Sequence, residues 1–210
     1  VVDSGAFDWT RYPDKFPGLC TPDESYHGVT YTERFGLEGA YITKATVQLM
    51  RDFGSIPAPM NSYLLNVGLE TLHLRVPRHC SNALAVAQYL QKHEKAAWVR
   101  YPGLESDPYH ALARKYLPNG VCGVVSFGVK GGREAAEAFM AGLKLASIAT
   151  HVADAKTCVL HPASTTHRQM NDQELYAAGV SPDLVRLSVG IEDIGDILAD
   201  LEDALAQVKA

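Results

Sequence analysis

The 210-residue sequence has only four cysteines, Cys20, Cys80, Cys122 and Cys158, and they are spread so widely that no CxxC pair or zinc-type spacing forms. A disulfide framework is excluded, and the thiols read as reduced core residues of a cytoplasmic protein. No apolar run approaches the roughly 18 residues of a membrane helix, so no spanning segment is expected. Positive charge is short as well. The 19 Lys and Arg stand against 24 Asp and Glu, a formal net charge of −5. Neither nucleic acid nor an anionic membrane is therefore expected as a partner. There is no GxSxG elbow and no HExxH helix, which argues against serine-hydrolase and zinc-peptidase chemistry. The pairs His73/His79 and His161/His167 make no coherent ligand set, so no metal site is expected. Gly128-Val129-Lys130-Gly131-Gly132-Arg133 imitates a phosphate loop but lacks both the GK[ST] ending and the GxGxxG spacing. An ordinary strand-to-helix turn fits it better.

What is present is a globular composition, 47% apolar and 20% charged. It is organised around Leu184-Val185-Arg186-Leu187-Ser188-Val189-Gly190-Ile191-Glu192-Asp193. Leu184, Val185, Leu187 and Val189 have strand propensity. Arg186 places a cation inside that apolar run. A part-buried guanidinium needs an anion, because an unpaired buried charge costs several kcal/mol. Two partners satisfy it: an acid of the chain itself, or the carboxylate of an amino-acid ligand, which an arginine fork grips with two parallel bonds.

Residues 7–39 hold Pro13, Pro17 and Pro22 among many aromatics and few aliphatics, and show no clean period. They predict a long ordered loop with at most short helical turns, of the functional or interface-forming kind. Helical spacing starts near Glu38 and stops before Gly54. A second helix, capped by Asn61 or Ser62, should continue to about Lys92, with a kink or break at Pro77. Thereafter strands and helices alternate. Strands are expected at 97–101, 121–129, 146–150, 157–161 and 184–189. Helices are expected at 107–117, 133–145, 171–179 with an Asn171/Glu174 capping box, and 193–208. The fold class this describes is α/β, an α+β lobe with helices packed on a mainly antiparallel sheet. The opening Val1-Val2-Asp3-Ser4-Gly5 reads as a strand end, as though the chain were the carboxy-terminal part of a longer polypeptide. His161-Pro162-Ala163-Ser164-Thr165-Thr166-His167 follows a predicted strand and is dense in hydroxyls and imidazoles. It suits either a polar site lining or a surface turn.

Three stretches taken together carry a resemblance: 68–75 with Arg78-His79-Cys80, 161–167, and 185–193. They resemble the carboxy-terminal half of the Cys/Met-metabolism enzymes that use pyridoxal phosphate. Within that family, residues 25–33 look like the extra loop of O-acetylhomoserine sulfhydrylases, and Thr165 points the same way. The resemblance implies three segments. They are the end of a fold-type I large domain with a long aromatic loop (1–60), a linking helix kinked near Pro77 (61–93), and a carboxy-terminal substrate-binding domain (94–210). It implies that Arg186 grips the substrate α-carboxylate, that His151 and Val152 support it, and that Thr165 lines the γ-side pocket. His151 stands where sulfhydrylases usually carry Asn.

The implied reaction is γ-replacement of O-acetyl-L-homoserine by sulfide or methanethiol. The alternatives are a γ- or β-lyase and a non-catalytic binding or assembly domain. The implied partners are the amino-terminal part of the same enzyme, in a homotetramer, together with the amino-acid substrate and the thiol. The cofactor-bearing lysine is expected upstream of Val1 and no catalytic residue in this chain. The one Thr-Lys pair, Thr43-Lys44, is preceded by Tyr41-Ile42 rather than by the family's serine context.

Overall fold

The computed structural model describes residues 3–209, and the strand end expected at Val1-Val2 lies outside them. The chain divides into two units at Asn66/Val67.

In the first unit, aromatic rings do the work that aliphatic residues do elsewhere. Trp9 packs against Phe7, Phe16 and Tyr41 with ring centroids 4.7, 5.1 and 5.8 Å apart. Residues 7–39 are more helical than expected. Short 3₁₀ turns at Trp9–Arg11 and Glu24–Tyr26 flank helix α1 (Pro17–Cys20), and helix α2 (Tyr31–Lys44) begins well before Glu38. Its early turns escape a periodicity reading because Gly36 (φ 67°, ψ −174°) interrupts the helix, so no continuous period runs across it. A π-helical stretch (Ala45–Met50) leads into α3 (Arg51–Phe53), which stops at Gly54 in the left-handed conformation, as expected. Asp23 is the polar centre. It accepts bonds from the Ser25 amide and hydroxyl, the Tyr31 hydroxyl, Lys44 Nζ at 3.0 Å and Gln48.

Helix α4 spans Pro59–Glu70. It starts at Pro59 rather than at a capping Asn61 or Ser62, because proline's fixed φ suits a first helical position. Helix α5 (Leu72–Lys92) follows after one interrupting residue, Thr71 (φ −107°, ψ 4°). The break expected at Pro77 is therefore displaced to Thr71, and α5 runs on through Pro77. Near a helix start the missing proline N–H forfeits a single main-chain bond.

The second unit is built on a five-stranded sheet in the order β1-β2-β5-β4-β3. The strands are β1 (Ala96–Arg100), β2 (Val124–Val129), β3 (Ser147–Ile148), β4 (Cys158–Leu160) and β5 (Leu184–Ser188). Only β3 and β4 run parallel; the other pairings are antiparallel. Helices α6 (His110–Tyr116), α7 (Gly132–Gly142), α8 (Asp172–Ala177) and α9 (Ile194–Ala206) complete the unit. The class is mixed α/β, as expected. Helix α6 starts after the predicted Asp107-Pro108, because the Asp107 side chain is spent on the amides of Tyr101 and Tyr109.

Period-two alternation sends Val125, Phe127, Val185, Leu187 and Val159 to one face, where they meet Val86 and Leu90 of α5, Phe139 of α7 and Leu201 and Leu205 of α9. Each such buried side chain contributes about 1.5–3 kcal/mol. The opposite face carries Arg100, Ser126, Arg186 and Ser188, set side by side by the register. The Asn171/Glu174 capping box forms as expected. Asp193 caps α9 through the Gly195 amide, and Lys95 Nζ satisfies the carbonyls of Leu205, Ala206 and Val208 at its other end. Of the four thiols only Cys158 is buried. Cys20, Cys80 and Cys122 are partly exposed, which corrects the expectation that they are core residues.

Candidate functional site

Arg186 sits in the middle of β5, opposite Ser126 of β2 and Leu160 of β4. Its neighbours Val185 and Leu187 are drawn into the core, so strand geometry presents the guanidinium on the other face. The side chain is half-buried. Its Nη2 donates to the Thr150 carbonyl at 2.9 Å, and its buried Nε has no partner. Among the described residues no acid lies within ion-pair distance of it. The reading of Arg186 as half of an internal ion pair is thereby removed.

Thr150 opens the segment that contains His151 and Val152, both exposed. Their backbone is held from the far side by Ser188, whose Oγ accepts the Ala153 amide at 2.9 Å. Arg186 and Ser188 are two residues apart on one strand face, so both touch the same loop. Thr165 follows the turn after β4. Its hydroxyl bonds back to the His161 carbonyl at 2.7 Å, and Arg133 pins the turn through the Ala163 carbonyl at 3.0 Å. Arg186, His151 and Val152 are thus brought to one place, and Thr165 lies beyond the end of the strand that pairs with Arg186.

Two of the motif histidines, His161 and His79, are structural. His161 is fully buried, with Nε2 donating to the Pro182 carbonyl and Nδ1 accepting from Ser164, each at 2.8 Å. His79 donates Nδ1–H to the Val189 carbonyl at 2.7 Å. No group of three or more His, Cys, Asp or Glu among the described residues is placed to hold a metal ion.

A second tier escaped sequence reasoning. Glu192 stands two residues before α9, where a carboxylate suits the positive end of the helix. Its carboxylate instead takes the Thr157 amide at 2.6 Å and the Thr157 hydroxyl at 3.0 Å. Asn82 of α5 bonds the carbonyls of Gly190 and Glu192, both at 3.0 Å. For Ser188 the signal was its two-residue spacing from Arg186; for Asn82 there was none. Burial pushes the Cys158 thiol upward, so it stays protonated next to this loop.

A cleft of about 1120 Å³ is an apolar groove in the first unit lined by Trp9, Phe16, Tyr41 and Leu49, and it holds none of these residues. Lys44 is committed to Asp23 and lies 4.7 Å over the Tyr31 ring. No other lysine follows a threonine in the sequence. Lys44 therefore does not fit the role of a covalent pyridoxal-phosphate lysine.

The α/β lobe thus offers from a strand, backed by a tethered loop, an arginine that no acid among the described residues neutralises, a cation open to an anionic ligand. Residues 35–206 match the family of Cys/Met metabolism PLP-dependent enzymes, and the chain belongs to that family. It is 50% identical over 205 residues to the homocysteine synthase of Schizosaccharomyces pombe, covering 98% of this chain and 48% of that protein. It is 47% identical over 216 residues to the O-acetyl-L-homoserine sulfhydrylase of Leptospira meyeri, covering 99% and 48%. A crystal structure assigned as an O-acetylhomoserine (thiol)-lyase of Campylobacter jejuni is 37% identical, with TM-score 0.80 over 92% of this chain and 45% of its own. That protein carries N'-pyridoxyl-lysine-5'-monophosphate at its position 205. The chain spans about half the length of the curated relatives it matches. No helix among the described residues is long and apolar enough to cross a membrane.

Proposed function

We propose that this chain supplies the substrate-carboxylate side of an enzyme that replaces the γ-acetate of O-acetyl-L-homoserine. Sulfide or methanethiol would form the new C–S bond while the C–O bond to acetate breaks, giving homocysteine or methionine. The observation that carries the reading is Arg186, a half-buried guanidinium held by a neutral carbonyl and by no acid among the described residues. The names of the relatives support the choice of substrate. The cofactor of the family carries the electron-pair chemistry, and a protein of this kind orients the substrate against it.

In this reading residues 1–60 end the large cofactor-binding domain, 61–93 link the domains and 94–210 hold the amino acid. Arg186 takes the α-carboxylate through its fork, the His151–Val152 backbone flanks it, and Thr165 shapes the γ side. The complete enzyme works as a cytoplasmic homotetramer with its amino-terminal part in place. The test is acetate release by the complete enzyme with and without sulfide. Sulfide-dependent acetate release with homocysteine formation supports replacement. Release of ammonia and an α-keto acid without sulfide would replace this reading by a lyase.

A further inference from the structure

We infer that Ser188 is a positioning residue that locks the His151–Val152 backbone against Arg186 by holding Ala153 in a left-handed turn. The inference rests on the carboxylate reading above. Ala153 has φ 60°, and among the described residues the only other non-glycine with positive φ is His27. A Cβ in that region meets the neighbouring carbonyl, so an L-residue stays there only where its surroundings hold it. The surroundings are explicit. Segment 150–157 is tied to the end of β5 at successive points: Thr150 O to Arg186, Ala153 N to Ser188 Oγ, Ala155 O to Ile191 N, and Thr157 to Glu192. Ser188 is itself buried and on the same strand face as Arg186, so one rigid strand sets both ends of the turn. The strained residue therefore sits directly after the pair expected to flank the carboxylate. When the Ala153 bond is broken the turn relaxes, the Thr150 carbonyl leaves Arg186, and the guanidinium loses its aim.

The test uses the complete, cofactor-loaded enzyme and its Ser188→Ala, Ser188→Ala/Ala153→Gly and Arg186→Ala forms. Calorimetry would compare L-2-aminobutyrate with its carboxamide as probes, beside steady-state kinetics and amide exchange of 150–157. Ser188→Ala is expected to weaken the carboxylate probe about tenfold, the scale of the left-handed penalty read as an equilibrium. It should leave the carboxamide within about twofold on the same scale, raise KM with a smaller change in kcat, and speed exchange in 150–157. Adding Ala153→Gly should restore the probe affinity, because glycine holds the turn without the hydroxyl. Equal weakening of both probes, or no rescue by glycine, overturns the inference. If Arg186→Ala separates the two probes and Ser188→Ala does not, this inference falls while the carboxylate reading stands. If Arg186→Ala does not separate them, both fall.

Discussion

The guanidinium of Arg186 and the carbonyl of Thr150 lie 2.9 Å apart, and that neutral oxygen orients the arginine without cancelling its charge. Replacement should therefore hurt binding more than folding. Arg186→Lys keeps a cation but cannot reach Thr150 and both oxygens of a carboxylate together. On the proposed reading it is expected to raise the complete enzyme's KM for the amino acid about 10- to 100-fold, the worth of a charge-assisted bond. Unfolding free energy should stay within about 1 kcal/mol, as no buried acid is orphaned. A loss of several kcal/mol in denaturant titration would mean that the arginine has an internal anion after all.

Gly190 is required by close approach. A Cβ built there would lie 2.1 Å from Glu192 Oε2, 2.4 Å from the Ala155 carbonyl and 2.6 Å from the Lys156 carbonyl carbon. Two of these are main chain, so the loop itself must move. Gly190→Ala is expected to cost about 3 kcal/mol or more, at the overpacking end of the scale. The same substitution at Gly68, where nothing lies within 4 Å of the added carbon and the residue is helical, should be neutral or stabilising. Equal melting temperatures for the two variants would refute the packing argument.

Much of the second unit was legible because its residues announce their face. Val185 and Leu187 alternate with Arg186 and Ser188, and the Asn171/Glu174 box is a local signal read over four residues. The start of helix α2 hid behind Gly36, whose conformation cuts residues 31–35 off from the rest of the helix as a piece too short for a visible period. The tether between Glu192 and Thr157 joins residues 35 apart in sequence, and nothing local marks either partner. Arg186 stood out as a charge in an apolar strand, but whether an acid of the chain neutralised it was a question only packing could answer.

Asp23 makes the first unit sensitive to acid. The Ser25, Lys44 and Tyr31 donors around its carboxylate hold it far below the ordinary value of 3.8, against an opposing push from burial. A depressed folded pKa contributes stability that is present above the unfolded value and lost as pH falls through it. The loss should begin below about pH 4 and continue downward. Asp23→Asn is expected to cost about 2 kcal/mol near neutrality and to flatten the acid limb in melts at successive pH values. Tyr31 is raised to about 12, first by burial and then by Asp23, so its share is present below the ordinary value of 10.0 and lost above it. An acid limb unchanged in the Asp23 variant would dismiss the assignment.

Asp200 of α9 closes the turn after α7. Its carboxylate accepts the amides of Lys144 at 2.7 Å and of Leu145 and Ala146, both at 3.0 Å. Asp200→Ala leaves three donors without this partner, the Ala146 amide buried and those of Lys144 and Leu145 part-buried, and about 3 kcal/mol should be lost. Asp200→Asn keeps one acceptor oxygen and should lose less. Chemical denaturation of both variants checks the order, and an alanine form as stable as the asparagine form would contradict it.

Pro77 offers the opposite sign. It is the sixth residue of α5 and has no N–H to give to the carbonyl four residues back, that of His73. The helix passes through it all the same, so alanine at this position needs no rearrangement to adopt helical angles. Alanine would restore the missing main-chain bond and remove the ring from the preceding turn. Proline costs about 3 kcal/mol against alanine in a helix interior, and near a helix start the penalty is smaller. Pro77→Ala is accordingly expected to raise unfolding free energy by about 1 kcal/mol. If it lowered stability instead, the proline would be holding the adjoining wall, where it lines a cavity of about 320 Å³ with Tyr101 and Leu117, and helix propensity would not be the deciding effect.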